Sequence, residues 1–201
     1  MLVGAACTRG LDDDSTPADQ EVASRAQTPA GTSADRTDAA GDVRQFVEQA
    51  AIANMAEIQL GNLAQQRAQN NDVKQFARMM VTDHTKALAE LRTAAQSVSL
   101  TLPSDLDDKH HDLHQRLSSL QGADFDREYM KAMVDGHEDV ADLLDNRAEG
   151  HDSSVAPGTT AASATAGTAQ NAASIDAWAA KTLPAVKSHL ERAKAIDAKL
   201  K

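Results

Sequence analysis

Apolar residues recur every three or four positions in four separate segments of this 201-residue chain. Residues three and four apart share one face of an α-helix, so each segment predicts a helix whose apolar stripe faces a core. Alanine is abundant, the aromatic residues are three Phe, one Tyr and one Trp, and no alternating run reaches the length of a strand. The predicted fold class is therefore all-α, an up-down bundle of four long helices.

Each stripe is interrupted near its middle by one side chain that can bind a metal: Glu57, His84, His137 and His189. Buried ionisable groups are costly unless they are paired, hydrogen-bonded or coordinated to a metal, so these four positions are the candidate functional site. The stripes are Phe46, Ala50, Ala53, Glu57, Leu60 and Ala64; Val73, Ala77, Met80, His84, Ala87, Leu91, Ala94 and Val98; Met130, Met133, His137, Val140 and Leu144; and Ile175, Ala179, Thr182, Val186, His189, Ala193, Ile196 and Leu200.

The heights of the four interrupting residues also agree. In an up-down bundle, a residue rises about 1.5 Å per position away from the connecting turn. Glu57 lies roughly fourteen residues before the turn at 70–72 and His84 about thirteen after it. Counted from the turn between the second and third long helices, His84 and His137 differ in height by about one residue. Counted from the turn between the third and fourth, His137 and His189 agree within about one helical turn. We therefore expect the four side chains to meet at one level.

Two interpretations of this cluster remain open on the sequence alone. Three imidazoles and one carboxylate suit a Zn, Cu, Fe or Mn ion, with Asp83, Glu138 and Glu191 as acceptors that orient the rings from outside. The alternative is a metal-free buried network in which Glu57 accepts hydrogen bonds from the histidines. A second pair, His110 and His114, is spaced one helical turn apart, but its acid-rich surroundings indicate a solvated face rather than a site.

Charge and motifs narrow the function classes. Thirty acidic residues against twenty basic ones give a net charge of −10, and no basic stripe is present, so nucleic acid is not an expected partner. No Ser/His/Asp order, phosphate-cradling Gly-rich loop or Cys-x-x-Cys pair supports hydrolase, nucleotide or thiol-redox chemistry. The sequence favours a binding protein over an enzyme without deciding between them.

The N-terminal region predicts attachment to a membrane. Residues 1–7 end in small residues before Cys7 and resemble the remnant of a bacterial lipoprotein signal, whose cysteine is lipidated. The alternative is a free thiol near the terminus. Residues 8–41 are rich in Asp, Thr, Ser, Ala, Pro and Gly, and this composition predicts a disordered acidic tether.

Residues 42–201 form the predicted helical domain. Asp42 is the expected N-cap of the first helix, and Pro184 predicts a kink or restart in the last one. A low-complexity loop is expected at 150–174. Helices are predicted over 42–69, 72–98, 105–120, 124–149 and from 175 to the C-terminus, the short third one lying between the second and third long helices.

Several motifs occur in order along the chain: Phe46-Val47-Glu48-Gln49-Ala50-Ala51, Met55-Ala56-Glu57, Met79-Met80-Val81-Thr82-Asp83-His84, Leu120-Gln121-Gly122-Ala123-Asp124-Phe125-Asp126, His137-Glu138 and Thr182-Leu183-Pro184. In this order they resemble a bacterial family described as domain of unknown function 4142. The resemblance implies a ferritin-like bundle in an exported protein of the periplasm or outer membrane, and it implies no established activity.

One departure from the wider ferritin-like group bears on the metal. Di-iron carboxylate bundles carry Glu-x-x-His on two helices. The positions three before His84 and His189 are Val81 and Val186, so a mononuclear site is the better expectation. The leading hypothesis is a lipid-anchored, metal-binding or stress-related protein of the cell envelope. A metal-dependent oxidoreductase with the same residues and a metal-free structural or interaction module are the alternatives.

Overall fold

Five α-helices and no strand occur in residues 33–150 and 166–201, the part of the chain that the computed structural model describes. This confirms the all-α prediction. The described chain also lacks any helix that is both long and apolar enough to cross a membrane. The helices are α1 (Ser33–Arg67), α2 (Asn71–Ser97), α3 (Asp108–Ser118), α4 (Gly122–Gly150) and α5 (Ala166–Leu200).

The four long helices pack in a ring, in which α1 contacts α2 and α4, and α5 contacts α4 and α2. Their buried apolar residues form two clusters. One surrounds Phe76 and Tyr129, and the other surrounds Phe46 and Trp178. On every long helix the metal-ligand candidate lies between residues of the two clusters; on α2, for example, His84 lies between Met80 of the first and Leu91 of the second. The candidates thus form a polar layer between two apolar ones.

The direction of α4 differs from the up-down expectation. Asp126, near the start of α4, accepts hydrogen bonds from the backbone amides of Gln69 and Asn70 at the turn between α1 and α2. The α2 and α4 helices therefore begin at the same end and run parallel, and the segment containing α3 connects them along the length of the bundle. Residue counts from the two ends of that segment therefore do not compare heights in the bundle, and the predicted alignment of His84 with His137 on that basis was wrong. His84 and His137 still share a level, because they lie 13 residues after Asn71 and 15 after Gly122, respectively.

Two helix starts differ from the predicted boundaries. The α1 helix begins at Ser33, so Asp42 lies inside it and is not its N-cap. The physical reason is that 33–41 lacks proline, and a single glycine costs a helix only about 1 kcal/mol. The rest of the predicted tether, together with Cys7, lies outside the described residues.

Similarly, α5 begins at Ala166, within the predicted loop 150–174, and it is one helix that contains Pro184. Small residues such as Ala and Ser do not prevent helix formation, although their low complexity suggested a loop. Residues 151–165 of that loop lie outside the described part of the chain.

Close contact between α1 and α2 depends on Gly61. A Cβ atom at this position would lie 2.8 Å from Val81 Cγ2 and 3.0 Å from the Ala77 carbonyl oxygen. The first distance is too short for any Cβ atom and the second is unusually tight, so Val81 or the nearby backbone of α2 would have to shift to admit a side chain. The absence of a side chain thus lets the two helices that carry Glu57 and His84 approach each other.

Candidate metal centre

His84, His137 and His189 meet in the polar layer between the two apolar clusters. Their ring centroids form a nearly equilateral triangle with sides of 5.6, 5.5 and 5.6 Å. One ring nitrogen of each histidine lies within 4.8 Å of one ring nitrogen of each of the others. The side chains come from α2, α4 and α5, and the residues are only 6%, 1% and 6% exposed, respectively. The predicted convergence therefore holds for the three histidines.

Each imidazole has one nitrogen held by an oxygen that can only accept a hydrogen bond. His84 Nδ1 lies 3.0 Å from Asn54 Oδ1, and the Asn54 amide nitrogen in turn donates to the Ala50 carbonyl at 2.7 Å, which fixes the amide orientation. His137 Nδ1 lies 2.8 Å from the Met133 carbonyl oxygen. These contacts place a proton on Nδ1 of both rings.

His189 is held from the opposite side of its ring. Its Nε2 donates to Asp83 Oδ2 at 3.0 Å, so the proton is on Nε2 in this ring. The second nitrogen of each imidazole is buried and has no hydrogen-bond partner among the described residues; these atoms are His84 Nε2, His137 Nε2 and His189 Nδ1. Three lone pairs from three helices are thus left for a shared ligand.

The three rings are neutral near pH 7. Burial, together with the nearby His189, lowers the pKa of His137 to about 4, against the opposing effect of the hydrogen bond to Met133. Burial, followed by the neighbouring His137 and His189, holds the pKa of His84 well below its usual range. Burial also lowers the pKa of His189, although Asp83 opposes the shift. Neutral imidazole is the form that binds a metal.

Glu57 adjoins the triad but does not belong to it. Its Oε1 lies 3.6 Å from His137 Nδ1, which is beyond hydrogen-bond range, and its Oε2 is buried with no hydrogen-bond partner in residues 33–150 and 166–201. Burial raises the pKa of Glu57 to about 8, so at pH 7 the carboxyl group is mostly protonated and the contact with neutral His137 is not an ion pair. The expected network, with Glu57 accepting from the histidines, is not formed.

Of the residues predicted to orient the imidazole rings, one does so, and a further orienting residue was not predicted. Asp83 contacts His189 as predicted. Glu138 instead pairs with Lys194 at 2.9 Å on the surface, and Glu191 is exposed, so neither of them orients a ring. Asn54 was not predicted. It lies three positions before Glu57 and therefore on the same helix face, so a polar residue on an apolar face was the signal that could have identified it.

Space adjoins the site on two sides of Glu57. A small internal cavity of about 10 Å³ is lined by Asn54, Glu57, His84 and His137, together with apolar residues. This volume accommodates roughly one atom-sized occupant. A larger cleft of about 890 Å³ lies between α1, α3 and α4, and Glu57 lines it as well.

The histidines of α3 do not form a comparable site. His110 is paired with Asp107, the N-cap of α3, and His111 lies 3.2 Å from the exposed Asp105. Among the described residues, the buried triad is the one group of three or more His, Cys, Asp or Glu that could hold a metal ion. His110 and His114, the predicted pair, are both half-buried, so the expected solvated face is only partly exposed.

Comparison with known proteins gives one match. The model of a family described as Domain of unknown function (DUF4142) matches residues 27–157. That range includes Glu57, His84 and His137 and ends before His189. No curated protein and no solved structure matches the chain.

Proposed function

Because the chain belongs to the DUF4142 family, whose description gives no function, we propose from the site itself that this protein binds one divalent transition-metal ion through His84, His137 and His189. The observation that carries the proposal is the set of three buried ring nitrogens that have no hydrogen-bond partner among the described residues, on three imidazoles that each offer one nitrogen within 4.8 Å of the others. Burial of such groups without a ligand is unfavourable by about 1–3 kcal/mol each.

The donor set and spacing fit such an ion. Three neutral nitrogens favour Zn, Cu, Fe or Mn over Ca or Mg, which prefer oxygen. A point equidistant from three atoms 4.8 Å apart lies about 2.8 Å from each of them, whereas Zn–N bonds are about 2.0–2.1 Å. Ring movements below about 1 Å therefore complete the coordination. Asn54, Asp83 and the Met133 carbonyl oxygen orient the three rings.

Metal analysis with histidine variants tests this proposal. Native mass spectrometry of the wild-type protein incubated with Zn²⁺ is expected to show one ion per chain. His84→Ala and His137→Ala are expected to lose it while retaining their helical circular dichroism. His111→Ala, on α3, is the matched control and should bind as the wild type does. Equal binding by all four proteins would contradict the proposal, and so would a wild type that binds no Zn²⁺, Cu²⁺, Fe²⁺ or Mn²⁺.

A metal-dependent oxidoreductase is the second candidate, and the number of ligands favours it. Three protein ligands leave an open coordination position, as in catalytic metal sites, whereas structural sites are closed by four. Peroxide consumption or Fe(II) oxidation, compared with the same His84→Ala and His111→Ala variants, tests this candidate. Turnover that depends on His84 would make the protein an enzyme. Stoichiometric binding without turnover would leave it a metal-binding or stress-related protein.

The proposal also places the domain in the bacterial cell envelope, in the periplasm or at the outer membrane, with a lipid on Cys7 as its anchor. It is supported by the small residues before Cys7 and by the acidic, polar stretch that follows. A ferritin-like topology belongs to the same proposal, since such bundles have one long connection between their two helix pairs.

Mass spectrometry of membrane fractions tests the anchor. A diacylglyceryl adduct on Cys7, lost together with membrane association in Cys7→Ser, is the expected result. An unmodified Cys7 in a peptide that still carries Met1 would contradict it.

A further inference from the structure

The cleft between α1, α3 and α4 leads from the protein surface to Glu57. Its volume of about 890 Å³ is far larger than a hydrated ion requires, and its lining includes Ala53, Glu57 and Gly136. Ala53 and Glu57 also line the small cavity beside His84 and His137. Together with Val140, which also lines both spaces, these two side chains form the partition between the cleft and the neighbourhood of the triad.

The charge of the cleft suits a cation. Five aspartates line it, against Lys109 and Arg116. Lys109 is neutralised by Asp139, and Arg116 by Glu128. The lining aspartates are Asp107, Asp112, Asp135, Asp139 and Asp142.

Two of the aspartates are without an ion-pair partner among the described residues, Asp112 on α3 and Asp142 on α4, and both are exposed. The other three are paired with His110, Lys131 and Lys109. Clefts lined by charges of one sign concentrate counter-ions and accelerate their association by about 10-fold to 10³-fold.

A second observation points to a ligand at the inner end of the cleft. Glu57 Oε2 is buried and has no hydrogen-bond partner within the described part of the chain, and the residue as a whole is only 7% exposed. A carboxyl oxygen in this position can contact a cation that enters from the acidic cleft, and it lies beside His137. From the surface inwards, the groups are the exposed carboxylates of the cleft, the buried carboxyl group of Glu57 and the three imidazoles of the triad.

We propose that this cleft is the route by which a hydrated divalent transition-metal ion reaches the histidine triad, with Asp112 and Asp142 attracting the ion and Glu57 as its last oxygen contact. This inference rests on the proposed metal-binding function, because a route has meaning only if the triad binds metal. It concerns the rate at which the metal ion is taken up, which the affinity of the triad does not determine.

Stopped-flow uptake of Co²⁺, followed by its visible absorption, tests the charge contribution. The double variant Asp112→Asn/Asp142→Asn is expected to take up Co²⁺ about threefold to tenfold more slowly than wild type, with the difference shrinking at high salt. Glu48→Gln, an exposed acid on α1 outside the cleft lining, is the control and should match the wild-type rate.

A second variant tests the route itself. Ala53→Phe fills the partition and is expected to slow uptake at least about tenfold while the final stoichiometry stays at one ion per chain. Ala148→Phe, at a half-buried position on α4 outside the cleft lining, is the size-matched control. Wild-type uptake rates in both Ala53→Phe and the double aspartate variant would overturn the route. Failure of the wild type to bind any metal would instead overturn the proposed function, so the two failures are distinguishable.

Discussion

At the scale of single residues, hydrogen bonds to the imidazoles decide which nitrogen each ring offers. The three histidines could be predicted from the sequence, because an ionisable side chain in an apolar stripe stands out. Their tautomers could not be predicted, since these depend on contacts such as Asn54 with His84, 30 positions apart. Asn54 was not predicted because Ala53 fits the spacing of the apolar stripe equally well and was assigned to it. Glu57 was placed at the correct level but not within the group of converging nitrogens.

Loss of the Asn54 side chain should weaken metal binding without removing a ligand. In Asn54→Ala, His84 Nδ1 loses its acceptor, so the ring is no longer held in the orientation that points Nε2 at the metal. Changes in such orienting partners lower metal affinity by about 10-fold to 100-fold. Competition against a chelator of known Zn²⁺ affinity measures the change. Asn62→Ala, at an exposed position on α1, is the control, and unchanged affinity in Asn54→Ala would contradict the orienting role.

The metal-free protein should be most stable near pH 6.5. The histidines have folded pKa values below 6.5, so their contribution to stability is complete above that pH and is lost as the pH falls toward about 4, the pKa of His137. Glu57 acts in the opposite sense. Its pKa is raised from 4.5 to about 8, so its contribution is complete below pH 4.5 and is lost as the pH rises through 8. Above pH 6.5 the loss of the Glu57 contribution therefore lowers the stability. Below pH 6.5 the loss of the three histidine contributions exceeds the gain from Glu57, so the stability falls again.

Urea unfolding of chelator-treated protein between pH 4.5 and 8.5 measures this dependence. Each proton taken up or released on unfolding changes the free energy of unfolding by about 1.4 kcal/mol per pH unit. In Glu57→Gln the decline between pH 6.5 and 8 should disappear. A wild-type stability that rises steadily from pH 6.5 to 8 would contradict the assigned protonation states.

At the scale of helices, the apolar stripes predicted the core because a helical period of 3.6 residues places those positions on one face. All the stripe residues are buried or half-buried. Helix ends were harder to predict. The start of α1 at Ser33 and of α5 at Ala166 lie in segments of low complexity, where weak helix propensity and loop composition look alike.

Gly61 should be intolerant of any side chain. In Gly61→Ala, the new Cβ would lie 2.8 Å from Val81 Cγ2 and 3.0 Å from the backbone of α2, so α1 must move away. Overpacking of this kind destabilises proteins by about 1–3 kcal/mol. Urea unfolding measures the loss, and the shift of α1 should also weaken Zn²⁺ binding, since Asn54 lies on α1 and holds His84 of α2.

Gly41→Ala is the matched control on the same helix. A Cβ atom there meets nothing within 4 Å, so the substitution should stabilise the protein by about 0.5–1 kcal/mol through helix propensity. If both alanine variants raised the stability, close approach of α1 and α2 at Gly61 would not be a constraint.

At the scale of the whole molecule, the sequence predicted a common level for residues far apart in the chain, but not the path that connects them. The parallel course of α2 and α4 could not be read from stripes, because a stripe looks the same in either direction. It is marked by tertiary contacts, namely those of Asp126 with the turn before α2.

Metal should stabilise the whole bundle, because its ligands come from three helices. A ligand that binds only the folded state adds about 2.7 kcal/mol at a concentration 100 times its Kd, which corresponds to a rise in Tm of roughly 5–10 °C for a domain of this size. Scanning calorimetry with increasing Zn²⁺ measures the shift. In His137→Ala, Tm should not respond to Zn²⁺, and a response equal to that of the wild type would place the stabilising ion elsewhere.

The most direct test is a crystal structure of the Zn²⁺-loaded protein with anomalous diffraction at the zinc absorption edge. One strong anomalous peak is expected, about 2.0–2.1 Å from His84 Nε2, His137 Nε2 and His189 Nδ1. A peak bound instead to the histidines of α3, or a triad without anomalous density at saturating Zn²⁺, would contradict the proposed site.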